Sequence, residues 1–194
     1  MAVKNNLILA AAYLLIIPLL RGIANLDMLR SAECLEQAVI LTGIFLIAPL
    51  PAPEQSKAIQ DVVCTKKIPH WKILLLRFIM SMLLLILMVC LFSGIMVWKN
   101  CIFPFMPYVA GTVISAMALG SFGFAAAIFS NSVIVGYLAS IGYFLLNSLG
   151  NVSEDSIFYL FSMGKGNYST KIWLFGLSLL VIAVVFIYER KKRC

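Results

Sequence analysis

The sequence predicts an all-α integral membrane protein, one domain of six transmembrane helices with a short extra helix between the second and third. Composition is the first reason: the 194 residues are 62% hydrophobic and only 12% charged, with a mean hydropathy of +1.01. Soluble domains carry about half apolar and about a quarter charged residues. The second reason is arithmetic, since a bilayer core needs about 20 apolar residues per helix and the chain has room for roughly six such runs. The third is where the basic residues fall. The net charge of +7 sits at the ends of apolar runs, where it reads topology, and not on a polar face that would suit nucleic acid.

Span 1 is expected from about Leu7 to Ile23, with Pro18 and Arg21 late in it. Arg21 must snorkel or face an interior there. The basic start and apolar run could pass for a signal peptide, but a retained first helix suits a chain otherwise built of spans. A short polar link, Ala24 to Glu33, leads to span 2, about Cys34 to Leu50. Span 3, about Ile73 to Trp98, holds LLLLILMVCLF, the strongest transmembrane signal. Span 4, about Tyr108 to Phe129, pairs small residues four apart: Gly111 with Ser115, Ala116 with Gly120, Gly123 with Ala127. Such pairs let helix backbones approach closely in lipid. Ser130, Asn131 and Ser132 turn the chain into span 5, about Val133 to Leu149. A polar connector follows, in which Ser156 to Met163 reads as an interfacial or re-entrant piece. Span 6 runs from about Ile172 to Tyr188 and ends in ERKKR.

Charge then orients the chain. With a cytoplasmic N-terminus, Lys4, Lys57, Lys66, Lys67, Lys72, Arg77 and the Arg190 to Arg193 cluster share the inner side. Arg21, Arg30, Lys99, Lys165 and Lys171 fall outside, balanced by Asp27, Glu33, Glu36, Glu154 and Asp155. The excess of inner Lys and Arg predicts both termini in the cytoplasm.

The polar stretch Ala52 to Arg77 has a design of its own. Pro53 and Glu54 suit a helix start, because proline lacks the N–H that would be unpaired there and a carboxylate favours the positive end of the dipole. Ile59, Val62 and Val63 recur on one face while Gln55, Asp61 and Lys66 point elsewhere. Ile68 and Pro69 end the helix. His70, Trp71, Lys72 and Arg77 then mark the entry into the bilayer.

A glutamate after a span, a short helix, then a proline with basic residues leading into the next span resembles the first cytoplasmic loop of the ABC-2 type transporter permeases. Glu54, the helix of about residues 54–65, Pro69, Lys72 and Arg77 fill those places. The resemblance covers about 25 residues of a loose motif. It implies a coupling helix that docks on an ABC ATPase subunit, two copies of that ATPase supplying ATP and magnesium, and a second permease copy or paralogue. Residues 54, 59, 61, 62, 63, 66 and 69 (Glu54, Ile59, Asp61, Val62, Val63, Lys66, Pro69) would form the docking surface. Absence of a long helix before span 1 and of a large outer domain matches the small permeases of bacterial peptide exporters, including those of phenol-soluble modulins. The resemblance thus implies a plasma-membrane exporter of an amphipathic peptide or other hydrophobic cargo, working by alternating access. Attachment of the same short helix to anionic lipid through Lys57, Lys66 and Lys67 is the other reading of this stretch.

No chemistry of its own is expected of the chain. GKGNYST at Gly164 to Thr170 lacks the frame of a phosphate loop, and His70 is the single histidine, so neither a triad nor a metal site is expected. The five cysteines, Cys34, Cys64, Cys90, Cys101 and Cys194, have no ligand spacing; a Cys34–Cys101 bridge is the one pairing considered. Glu33 and Glu36 fall at an end of span 2, which leaves the spans almost without carboxylates and disfavours ion-coupled transport. In span 5, Tyr137, Ser140, Tyr143 and Asn147 share about a third of the helix circumference. They would line a translocation path or bond neighbouring helices. A small membrane assembly or immunity protein without transport activity is the alternative function.

Overall fold

The computed structural model describes residues 2–52, 70–150, 152, 156–166 and 168–191. All regular structure among them is helical. The helices are α1 (Ala2–Arg21), α2 (Met28–Glu33), α3 (Thr42–Ile47), α4 (His70–Trp98), α5 (Phe105–Ser130), α6 (Val133–Ser148) and α7 (Ser169–Lys191). The docking residues Glu54, Ile59, Asp61, Val62, Val63, Lys66 and Pro69 lie outside the described residues.

Helix α5 is the hub. It packs on α3, α4, α6 and α7, and 67% of its most apolar window is buried, against 28% in α4 and 33% in α7. These three helices are each long and apolar enough to cross a membrane, while the apolar stretches Asn5–Arg21 and Val133–Ser148 are shorter. Helix α4 leaves Leu76, Met80, Leu83, Leu87 and Leu91 more than half exposed. A face of that size and composition is hard to keep in water and natural in lipid.

Small residues set the helix spacing. A Cβ on Gly120 would come within 2.7 Å of the Ile47 Cβ and 2.8 Å of the Gly43 carbonyl oxygen. On Gly136 it would meet the Gly123 carbonyl oxygen at 2.7 Å. Two expected pairs, Ala116 with Gly120 and Gly123 with Ala127, therefore lie where α3 and α6 press on α5. The third does something else: Gly111 faces the Met163 side chain, and Ser115 bonds the chain near Leu160.

The α5–α6 turn closes through Asn131 in the left-handed region (φ 52°). Its N–H bonds Ile128 O (3.3 Å), and the Ser132 N–H bonds Ala127 O (3.2 Å). Asparagine tolerates that conformation better than most residues, which is why the chain reverses there.

Span 2 departs from expectation in two ways. Helical structure begins at Met28, inside the stretch expected to be a polar link, because Ser31 and Ala32 are fully buried. The path is also irregular: a π-helical turn at Cys34–Ala38 is followed by a 3₁₀ turn at Val39–Leu41 before α3. Neighbours restore the disturbed bonding, as apolar surroundings require. The Tyr13 hydroxyl donates to Ala38 O (3.1 Å) and the Thr42 hydroxyl to Val39 O (2.7 Å).

The helices run up and down, so the bundle has two unlike ends. At one, the connections after α1, α4 and α6 interlock: Asn25 N bonds Lys99 O (3.0 Å) and Ile102 N bonds Leu26 O (3.1 Å). At the other, Phe129 packs on Tyr188 with ring centroids 5.2 Å apart, and the helix directions put the starts of α1 and α4 and the end of α7 there. We call these the loop end and the terminus end.

Candidate functional site: a buried charge pair at the loop end

The π turn swings Glu36 inward. A π turn fits one more residue than an α turn, which rotates the following side chains and often marks a functional position. Glu36 is 2% exposed, as is Lys171 from the first turn of α7. Their side chains pair at 2.7 Å.

Each partner has further bonds. The Lys171 ammonium donates to the Ser115 hydroxyl of α5 (2.6 Å) and to Leu160 O. Glu36 Oε1 also accepts the Met163 N–H at 2.9 Å. Ser115 in turn donates to Leu160 O (3.3 Å). The pair therefore does more than join α7 to span 2: both partners hold the backbone of residues 160–163, which has no regular structure until the 3₁₀ turn Met163–Lys165.

The polar residues of α6 hold the same segment from the other side. Asn147 Oδ1 accepts the Leu160 N–H (2.9 Å), while its Nδ2 donates to Tyr143 O (3.1 Å). The Tyr143 hydroxyl donates to Phe158 O (2.8 Å). Ser140 donates to Leu119 O of α5 (3.0 Å), and Tyr137 is partly buried against the apolar core. Of the four polar residues expected on one face of span 5, Tyr143 and Asn147 thus meet the 156–163 stretch, and Ser140 ties α6 to α5.

Leu160 is clamped on both sides of its peptide, with Asn147 on the N–H and Lys171 with Ser115 on the carbonyl. Its side chain is fully buried, as is nearly all of Met163. Buried non-helical backbone needs partners for its N–H and C=O groups, and the Leu160 peptide has them on both sides.

Beside the segment lies a cavity of about 410 Å³ whose lining includes Glu33, Gln37, Asn147, Tyr159, Phe161 and Gly164. Arg21 sits near it, exposed at the loop end, and donates to Gln37 Oε1 (2.7 Å) and Glu33 O (3.4 Å). Among the described residues no group of three or more His, Cys, Asp or Glu could hold a metal ion. Cys34 and Cys101 are buried free thiols, and Cys101 donates to Ile23 O instead of forming a bridge.

The sequence puts Glu36 and Lys171 at span ends on one side, and both lie at the loop end. What it does not foresee is that the early start of α2 and the π turn carry Glu36 into the packed region, where both side chains are enclosed by protein. The one sequence signal was that Glu36 and Lys171 are opposite charges at the same predicted end.

No family model matches the chain, and no curated protein or solved structure matches it.

Proposed function

We propose that the chain is a six-span permease subunit of an ATP-driven exporter of the ABC-2 type. The observation that carries this reading is the arrangement of the ends: the connector between α3 and α4 leaves the bundle where both termini leave it. If the Lys57, Lys66 and Lys67 connector and the ERKKR tail continue from those ends, the excess of Lys and Arg supports a cytoplasmic terminus end. A short amphipathic helix in the connector, carrying Ile59, Val62 and Val63, would then face a cytoplasmic ATPase. Trp98 and Trp173, both largely exposed at the loop end, suit the opposite membrane interface.

Export is the direction that the resemblance supports. ATP-driven closure of two ATPase subunits would pull on the connector, and the α3 and α4 ends would pass the movement to α5, on which both pack. Such a switch works only if the two conformations differ in their contacts with the ATPase. A cargo with a large apolar surface, such as an amphipathic peptide, fits a bundle whose interior is lined mainly by aliphatic and small side chains.

The test is co-purification from native membranes. A tagged chain should retain an ATPase subunit, and the complex should hydrolyse ATP. A chain that never retains one, and stimulates no hydrolysis when mixed with one encoded beside it, would favour a membrane assembly or immunity protein.

A further inference from the structure

We propose that residues 156–166 form a movable plug at the loop end, and that the Glu36–Lys171 pair is the latch that keeps it seated. Leu160, Ser162 and Met163 of the plug are buried while Ile157 and Phe158 are nearly half exposed. Beyond the turn from the Tyr159 N–H to Ser156 O (3.0 Å), residues 160–162 have no regular structure, so their place depends on side chains from span 2, α5, α6 and α7. Those holds are unequal. Asn147 and Tyr143 belong to one helix, whereas Glu36 and Lys171 come from two, so any separation of α7 from span 2 breaks the pair and loosens both Leu160 and Met163 together. On α5 the Met163 side chain sits directly against Gly111, where a Cβ would collide with its sulfur, so this contact seats the plug beside the latch. On the far side Phe161 and Gly164 border the open cavity of about 410 Å³, which leaves space beside the plug.

The latch follows from these contacts whatever the chain transports. Its meaning as the outward gate rests on the permease reading: the plug would close the exit, and ATP-driven motion would draw α7 from span 2.

Two measurements test the latch without a cargo. In the unaltered protein in lipid nanodiscs, amide exchange should release the Leu160 and Met163 N–H groups at one common rate, at least tenfold faster than amides in the middle of α5. Protection equal to that of α5 would overturn the proposal. In a second experiment Ser162, buried with a hydroxyl that has no hydrogen-bond partner, is replaced by cysteine after the native cysteines are changed to alanine. Maleimide should label S162C slowly in the parent, at least tenfold faster with Glu36→Gln or Lys171→Met, and still faster than the parent when both are combined. Unchanged rates in the single variants would overturn the latch. A double variant back at the parent rate would also overturn it, since the effect would then come from an orphaned charge.

The gate is tested separately. In a complex with its ATPase, ATP should change the labelling rate of S162C at least threefold. No change on adding ATP would remove the gate and leave the latch. Failure to find an ATPase would remove the permease reading and leave the exchange and labelling results intact.

Discussion

Lys171→Met should be among the most destabilising single substitutions in the bundle. The change removes the counter-charge 2.7 Å from Glu36 and leaves a carboxylate that is 2% exposed, still bonded to Met163 N–H. Breaking a buried pair by taking away one partner costs about 3–5 kcal/mol, because the remaining charge is neither hydrated nor paired. That is roughly a hundredfold to a few thousandfold in the folding equilibrium. Glu36→Gln orphans the ammonium instead, and Lys171 keeps only Ser115 and Leu160 O, so a loss of similar size is expected. In the double variant both charges are gone. What remains lost is chiefly the Lys171 bond to Leu160 O, about 1 kcal/mol, with Ser115 still donating to that carbonyl. Two single losses of about 3–5 kcal/mol against about 1 kcal/mol in the double variant make the interaction energy about 5–9 kcal/mol in favour of the pair. Reversible unfolding in mixed micelles, followed by helical circular dichroism on all four proteins, measures the cycle. Additive losses, with an interaction below about 0.5 kcal/mol, would refute the reasoning, since the charges would then be solvated.

Asn147→Leu should cost about 1–3 kcal/mol, the usual penalty for a buried donor left unpaired, because the Leu160 N–H loses its acceptor. Tyr143→Phe, which removes one bond to Phe158 O near the surface, should cost about 1 kcal/mol or less in the same unfolding assay. Gly123→Val would push a side chain against the Gly136 carbonyl and Ser140, and overpacking of this kind costs about 1–3 kcal/mol; a thermal midpoint equal to the parent's would show that α5 and α6 can part there. Val62→Asp with Val63→Asp should abolish retention of the ATPase while leaving the amount of membrane-inserted chain unchanged, as read by pull-down and membrane fractionation.

Helix positions were largely legible, because in a chain this apolar the runs between polar residues are the helices: Ile73 to Trp98 and Val133 to Leu149 differ from α4 and α6 by a few residues at most. The close approach of α3 and α6 to α5 was legible in part, since small residues four apart permit it without naming the partner. Gly111 and Ser115 show the limit, as the same spacing served a loop segment. The start of α2 was hidden by Asp27, Arg30 and Glu33, whose polarity masks the buried Ser31 and Ala32 between them. The π turn left no trace, because it arises from packing and not from local preference. Most of the candidate site was invisible for a related reason. Glu36, Ser115, Leu160 and Lys171 are far apart in the chain, and a pairing between spans is set by tertiary packing, which no periodicity records.

Sidedness tests the central claim most directly. Intact cells treated with a membrane-impermeant amine reagent, followed by peptide mass spectrometry, should carry label on Lys99, which is exposed at the loop end, and none on Lys66 or Lys67 until the cells are opened. Label on Lys66 and Lys67 in intact cells would put the connector outside, beyond the reach of any ATPase, and contradict the account.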